Sequence, residues 1–212
     1  MTHLPINHDP EPIRLFKSDF LEFFSHIHPA VIVIIWLPVA IFFLAREVLN
    51  RPANLSPLYI PLGFLVGLFF WTLTEYLLHR FVFHFEARNA FQERIIFLFH
   101  GVHHAQPQCK TRLVMPPVVS IPMAVIFYGG LTLIVGLLLG QPQLVGPLAS
   151  GLIIGYIIYD LTHYATHHLP MRSGYAKYIK RYHMQHHYKD PDTRYGVSSP
   201  VWDWVFGTQG MA

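Results

Sequence analysis

Eleven of the fifteen histidines in this chain fall into four short runs: HRFVFH (His79, His84), HGVHH (His100, His103, His104), HYATHH (His163, His167, His168) and HMQHH (His183, His186, His187). Spacings of three and four residues set imidazoles on one face of a helix, with Cβ atoms about 5 to 6 Å apart, so each run presents two or three nitrogens in one direction. A lone histidine on a helix is more often a surface or core residue than a ligand, and a lone HxxH carries little information. Four runs in one chain reverse that expectation, because imidazole is the commonest protein metal ligand and chance gives no reason for such clustering. The five-residue step from His79 to His84 leaves a single helical face. There, either the helix breaks or the two histidines serve different metals.

Roughly ten nitrogen ligands exceed the four to six that one tetrahedral to octahedral ion takes, so the pattern implies two metal ions. Imidazole alone does not choose among zinc, copper, iron and nickel. A zinc pair would point to hydrolysis. The runs contribute no cysteine or carboxylate ligand, however, and border apolar sequence where the available substrate is hydrocarbon, which favours iron with O2 as co-substrate over a zinc-occupied site. Glu75 lies one turn before His79 and Asp160 three residues before His163. Both are candidates for the hydrogen-bonding shell that orients ligand rings, although polar residues at helix ends would read the same way. His3, His8, His26 and His28 lie outside the runs and read as surface or interfacial residues. The single Cys109 excludes an internal disulfide and a thiolate metal site, and reads as an ordinary loop thiol.

The elements that must position these runs are membrane helices. Apolar residues make up 52% of the chain and charged residues only 13%, with the apolar ones gathered into stretches at about 29–45, 58–78, 117–139 and 146–162. At 1.5 Å rise per residue, stretches of about 17 to 23 residues cross a hydrocarbon core about 30 Å thick. None carries an Asp, Glu, Lys, Arg or His in its central part. Gly151 and Gly155 weaken the fourth as a helix but allow close helix contact. The expected fold is therefore all-α: a polytopic membrane protein with four transmembrane helices and a cytosolic histidine-rich helical cap. Residues 1–28 form a cytosolic lead-in, residues 29–212 the membrane domain, and segments 79–116 and 163–212 the cap. Of the fifteen Lys and Arg residues, Arg46 and Arg51 alone fall in the two loops on the far side, which places both termini and both histidine-rich segments in the cytosol. The basic residues are scattered, which argues against a nucleic acid partner. A membrane carrier of metal or haem would need polar groups at mid-depth, and the spans offer none.

Four segments go beyond histidine spacing: EYLLHRFVFH (75–84), FHGVHH (99–104) followed by RLVMPP (112–117), YDLTHYATHH (159–168) and YHMQHHYKDPDTRYGVSSPVWDWVFGT (182–208). From about Trp71 to Thr208 the chain resembles the fatty acid hydroxylase superfamily, most closely its sphingolipid fatty acid 2-hydroxylase branch. RLVMPP and GVSSPVWDWVFGT are the more specific parts, because related desaturases share the histidines alone. The resemblance implies an oxygen-dependent dimetal monooxygenase that hydroxylates C2 of a long acyl chain, free or in ceramide. Hydroxylases or desaturases of sterols, carotenoids or alkylglycerols are the alternative within the superfamily. Carried onto this chain, the ligands are His79, His84, His100, His103, His104, His163, His167, His183, His186 and His187, with His168 either an eleventh ligand or a support. Tyr159, Asp160, Tyr182 and Tyr195 are candidate contacts for the substrate's head end. Location in the endoplasmic reticulum, or in the inner or plasma membrane of a bacterium, goes with this family. No cytochrome b5 domain like that of the larger eukaryotic members is apparent, so a separate electron donor is expected, such as cytochrome b5 or a ferredoxin with its reductase.

Overall fold

The computed structural model describes residues 6–9 and 11–211, and its regular elements are all helical. They are α1 (Asp19–Phe23), α2 (Pro29–Leu49), α3 (Tyr59–Leu78), α4 (Ala90–Ile96), α5 (Val102–Ala105), α6 (Pro117–Leu131), α7 (Pro142–His168), α8 (Gly174–Tyr188) and α9 (Val201–Phe206). Three of these run directly into wider π-helical turns: α3 into His79–Phe83, α4 into Phe97–Gly101 and α6 into Thr132–Leu138. His3 lies outside the described residues.

Four helical stretches are long and apolar enough to cross a membrane: Pro29–Leu49, Tyr59–Phe83, Pro117–Leu138 and Pro142–His168. The chain is a multi-pass membrane protein. These helices are apolar all round, so large side chains such as Val125 (67% exposed), Ile126 (72%) and Leu138 (72%) stay uncovered by protein, which only a lipid solvent accommodates. The second and fourth stretches run further than their apolar composition suggests. The fourth is one helix of 27 residues that continues through Asp160 and His163 to His168. Polar residues do not interrupt helical hydrogen bonding, so the helix continues until the chain reaches Pro170. His79, His163 and His167 therefore sit on the last turns of long helices rather than in separate segments.

Two compact units make up the fold. One comprises Ala30–Trp71 and Met115–Ile158. Within it, α3 and α7 touch backbone to backbone: a Cβ built on Gly67 would lie 2.2 Å from the Leu148 carbonyl oxygen, and one on Gly151 would lie 2.1 Å from that of Phe64. At Gly155 the added carbon would meet Trp71 Cβ at 2.3 Å. Small residues allow this approach because without an apolar driving force in lipid, close packing and hydrogen bonds hold helices together. Two such bonds are buried here. Ser150 Oγ donates to the Ala40 carbonyl at 2.9 Å, and Trp36 Nε1 donates to Ser120 Oγ at 3.3 Å.

The other unit comprises Thr72–Val114, Tyr159 onward and the N-terminal residues up to Pro29. Its N-terminal segment is sewn onto the loop that follows α5. Asn7 N–H donates to the Ala105 carbonyl at 2.8 Å, Ile13 N–H to Gln106 Oε1 at 2.8 Å, and Ile27 N–H to the Thr111 carbonyl at 2.8 Å. Gln106, only 1% exposed, returns a bond from Nε2 to the Glu11 carbonyl at 2.9 Å. Glu22 accepts from the Leu15 and Phe16 N–H groups and pairs with Arg112. His26, read as surface or interfacial, is part-buried, with Nδ1 2.9 Å from Thr111 Oγ1 and Nε2 3.1 Å from Glu22 Oε1. Cys109 is buried beside Thr111. His8 and His28 are exposed.

Replacing Gly151 by Val is expected to lower the thermal midpoint in detergent by about 5 °C or more, since overpacking costs about 1–3 kcal/mol at roughly 2–4 °C per kcal/mol. Gly129→Ala, whose Cβ meets nothing within 4 Å, should stay within about 2 °C of the parent protein. Equal midpoints for both variants would show that α3 and α7 do not meet at Gly151.

Candidate metal centre

Ten histidines converge in two groups of five. One group is His79, His84, His100, His104 and His186; the other is His103, His163, His167, His183 and His187. All ten rings are buried, and within each group the potential ligand atoms lie within 4.8 Å of one another. In the first group Nε2 of His100 is 3.0 Å from both His79 Nε2 and His104 Nε2, and His186 Nε2 is 3.2 Å from both His84 Nε2 and His104 Nε2. In the second, His103 Nε2 lies 2.9 Å from His163 and 3.0 Å from His187, while His183 Nε2 lies 2.9 Å from His167 and 3.1 Å from His187. Two nitrogens at right angles on an ion with bonds of about 2.1 Å stand about 3.0 Å apart, which is the spacing seen in both groups. Each group can hold one metal ion.

Helical geometry explains how the runs divide. Residues four apart share a face, so His100 with His104, His163 with His167, and His183 with His187 each serve one group. Adjacent residues point about 100° apart, and the HH pairs accordingly split: His103 and His187 face one group, His104 and His186 the other. No run delivers three nitrogens to one place. His79 and His84 do share a group, and neither a helix break nor separate metals is needed. The π-helical turn His79–Phe83 closes with the His84 N–H on the His79 carbonyl at 3.1 Å, and this wider turn brings a five-residue step onto one side. His168 belongs to neither group; its ring packs on Tyr164 at 4.8 Å.

Burial, reinforced by neighbouring imidazoles, holds His84, His100, His103, His104, His183 and His187 below the ordinary histidine range, and burial with His104 does the same for His186. These rings are neutral near pH 7, the form that binds metal.

One loop braces the first group. His79 Nδ1 donates to the Tyr195 carbonyl at 2.5 Å, and His186 Nδ1 donates to the Thr193 carbonyl at 2.6 Å. With Nδ1 as the donor, Nε2 keeps its lone pair free for a metal. The loop itself is held by five consecutive N–H groups. Arg194 N–H donates to the Thr208 carbonyl at 2.8 Å; Tyr195 and Gly196 donate to Asp203 Oδ1 and Oδ2 at 2.9 and 2.8 Å; Val197 and Ser198 donate to Glu75 Oε1 at 2.6 and 2.7 Å. The Ser198 hydroxyl also binds Glu75. Arg194 takes a left-handed φ of 62° within this turn. Burial raises the Asp203 carboxyl above its ordinary range, and the bonds from Thr208, Gly196 and Tyr195 oppose that shift.

Glu75 thus touches the loop that carries the acceptor carbonyls, rather than a histidine ring. Asp160 is buried at 1% exposure on α7, one turn before His163. Tyr159, Tyr182 and Tyr195 are buried too; the Tyr159 ring sits 5.9 Å from that of His163, and Tyr195 packs 5.8 Å from His79 and 5.6 Å from His84. Asp203 and the two acceptor carbonyls escaped the sequence reading. The signal for Asp203 was the segment GVSSPVWDWVFGT, in which Gly196, Ser198 and Asp203 build the braced turn, whereas the carbonyls of Thr193 and Tyr195 left none.

Comparison with known proteins finds relatives over most of the chain. The fatty acid hydroxylase profile matches residues 64–208. A dihydroceramide fatty acyl 2-hydroxylase of Arabidopsis thaliana is 35% identical over 206 residues, covering 97% of this chain and 83% of that protein. A ceramide very long chain fatty acid hydroxylase of Schizosaccharomyces pombe is 37% identical over 197 residues, 91% of this chain and 54% of its own length. A solved structure of full-length Scs7p, in which only the hydroxylase domain is visible, superposes with a TM-score of 0.81 at 36% identity, covering 92% of this chain and 70% of that one.

Glu75→Ala would strip an acceptor from two buried N–H groups and a hydroxyl. With about 1–3 kcal/mol for each of these donors left unpaired and roughly 2–4 °C per kcal/mol, the midpoint in detergent should fall by about 6 °C or more. A midpoint shared with the parent protein would mean the loop is held without this carboxylate.

Proposed function

Because the chain belongs to the fatty acid hydroxylase family, we propose that it is a membrane monooxygenase that adds a hydroxyl group at C2 of a long-chain fatty acyl group, free or in ceramide. The observation that carries this reading is the pair of five-histidine groups in a chain whose relatives are named as ceramide and dihydroceramide fatty acyl hydroxylases. His79, His84, His100, His104 and His186 hold one iron ion, and His103, His163, His167, His183 and His187 the other. When bound, the iron pair supplies the oxidising power that an unactivated C–H bond requires, with O2 as co-substrate.

The protein's own part is placement and exclusion. Its ten imidazoles are buried, which keeps water from the reacting carbon. Tyr159, Asp160, Tyr182 and Tyr195 lie buried beside the ligands and position the polar head end of the acyl substrate. Each hydroxylation consumes one O2, two electrons and two protons, one oxygen atom entering the product and the other leaving as water. The electrons come from a carrier of the cytochrome b5 type or from a ferredoxin with its reductase. Thirteen of fifteen Lys and Arg residues lie on the side that carries the histidines and both termini, which supports a cytosolic orientation for that side. In a eukaryote the membrane is the endoplasmic reticulum; in a bacterium it is the inner or plasma membrane.

Expressed in a host that lacks 2-hydroxy lipids, the protein should produce 2-hydroxy acyl chains, and His103→Ala should reduce them to background in a lipid extract analysed by mass spectrometry. Undiminished levels in that variant would remove the second group from the active site. New hydroxylated sterols, carotenoids or alkylglycerols in place of 2-hydroxy acyl chains would reassign the substrate.

A further inference from the structure

The two histidine groups are not equally braced. In the first, His79 and His186 are each anchored through Nδ1 to a backbone carbonyl of the 193–198 loop. In the second, Nδ1 of every one of the five rings, His103, His163, His167, His183 and His187, is buried and meets no acceptor among the described residues. Within the first group that is true of His84. The carbonyls belong to a turn whose N–H groups from Arg194 to Ser198 are committed to Thr208, Asp203 and Glu75, which holds the turn in place.

A carbonyl on Nδ1 does three things for a ligand ring. It fixes the tautomer, holds the ring plane, and makes Nε2 a better donor; losing such a partner typically costs 10- to 100-fold in metal affinity. A ring without one must give up its rotational freedom and settle its tautomer when the metal arrives. Both groups offer five imidazoles at similar spacing, so the bracing is the difference that remains.

We infer that the two sites bind metal unequally: the site of His79, His84, His100, His104 and His186 holds its ion at least tenfold more tightly than the site of His103, His163, His167, His183 and His187. This rests on the reading of the ten histidines as ligands. Tyr195 and Thr193 act in it as positioning residues, through their carbonyls.

The test uses the full chain in detergent, loaded with Zn2+ and equilibrated against buffers of graded free Zn2+, with bound metal per chain read by elemental mass spectrometry. The expected curve falls from two ions to one, holds a plateau across at least a tenfold range of free Zn2+, and then falls to zero. His167→Ala should lose the weakly held ion and keep the tight one, whereas His84→Ala should weaken the tight one. Asp203→Ala, which loosens the turn, should shorten the plateau by moving the tight step 10- to 100-fold toward higher free metal. Loss of both ions in a single step by the parent protein would overturn the inference, as would a tight ion that survives His84→Ala and is lost in His167→Ala. Fewer than two ions in the fully loaded parent protein would instead overturn the ligand reading on which the inference rests. A single-step loss in the parent protein overturns the inference even where a variant fails to fold.

Discussion

Two buried carboxylates, Glu75 and Asp203, hold four successive backbone N–H groups of one turn, and much of the centre depends on that grip. A backbone turn has no shape of its own unless its donors are satisfied, and in a buried setting an unsatisfied donor costs about 1–3 kcal/mol. With donors bound on one side, the carbonyls of Thr193 and Tyr195 are left facing the other, where His186 and His79 meet them. Neither carboxylate touches a ligand ring in these bonds. Each acts at one remove, converting a flexible Gly- and Ser-containing stretch into a rigid wall for two imidazoles.

The histidine centre was largely legible in the sequence because its grammar is helical. Pairs such as His100 with His104 or His183 with His187 are read directly from a spacing of four, and the division of ten ligands between two ions follows from their number. What spacing could not convey was the turn at His79–Phe83, since a π-helical widening leaves no mark in residue type that separates it from a break. The acceptor carbonyls were equally silent. Every residue carries one, so Thr193 and Tyr195 look like their neighbours until the fold selects them. His26, outside the runs, is bonded by Glu22, Thr111 and Arg112, partners that histidine spacing does not reveal.

The membrane portion was legible in outline for a different reason. Four apolar stretches can be counted, and Gly151 and Gly155 could be read as contact points. Their helices extend beyond the apolar stretch because hydropathy reports where lipid ends, whereas hydrogen bonding decides where a helix ends. The long α7 illustrates the difference: it is lipid-compatible through Ile158 and continues in the same hydrogen-bonded register as it takes up Asp160, His163 and His167.

The order in which the ligands lie along the chain sets the order in which the cell can assemble them. Within the first group, His84 and His186 stand 102 residues apart; within the second, His103 and His187 stand 84 apart. Both groups take ligands from α8, which leaves the ribosome after every other ligand-bearing element. Neither site exists while the earlier helices are being threaded into the bilayer, and both become complete with the same short helix. A chain halted before α8 therefore has neither five-histidine group finished, so any ion these groups hold would enter only after the last ligand-bearing helix is made.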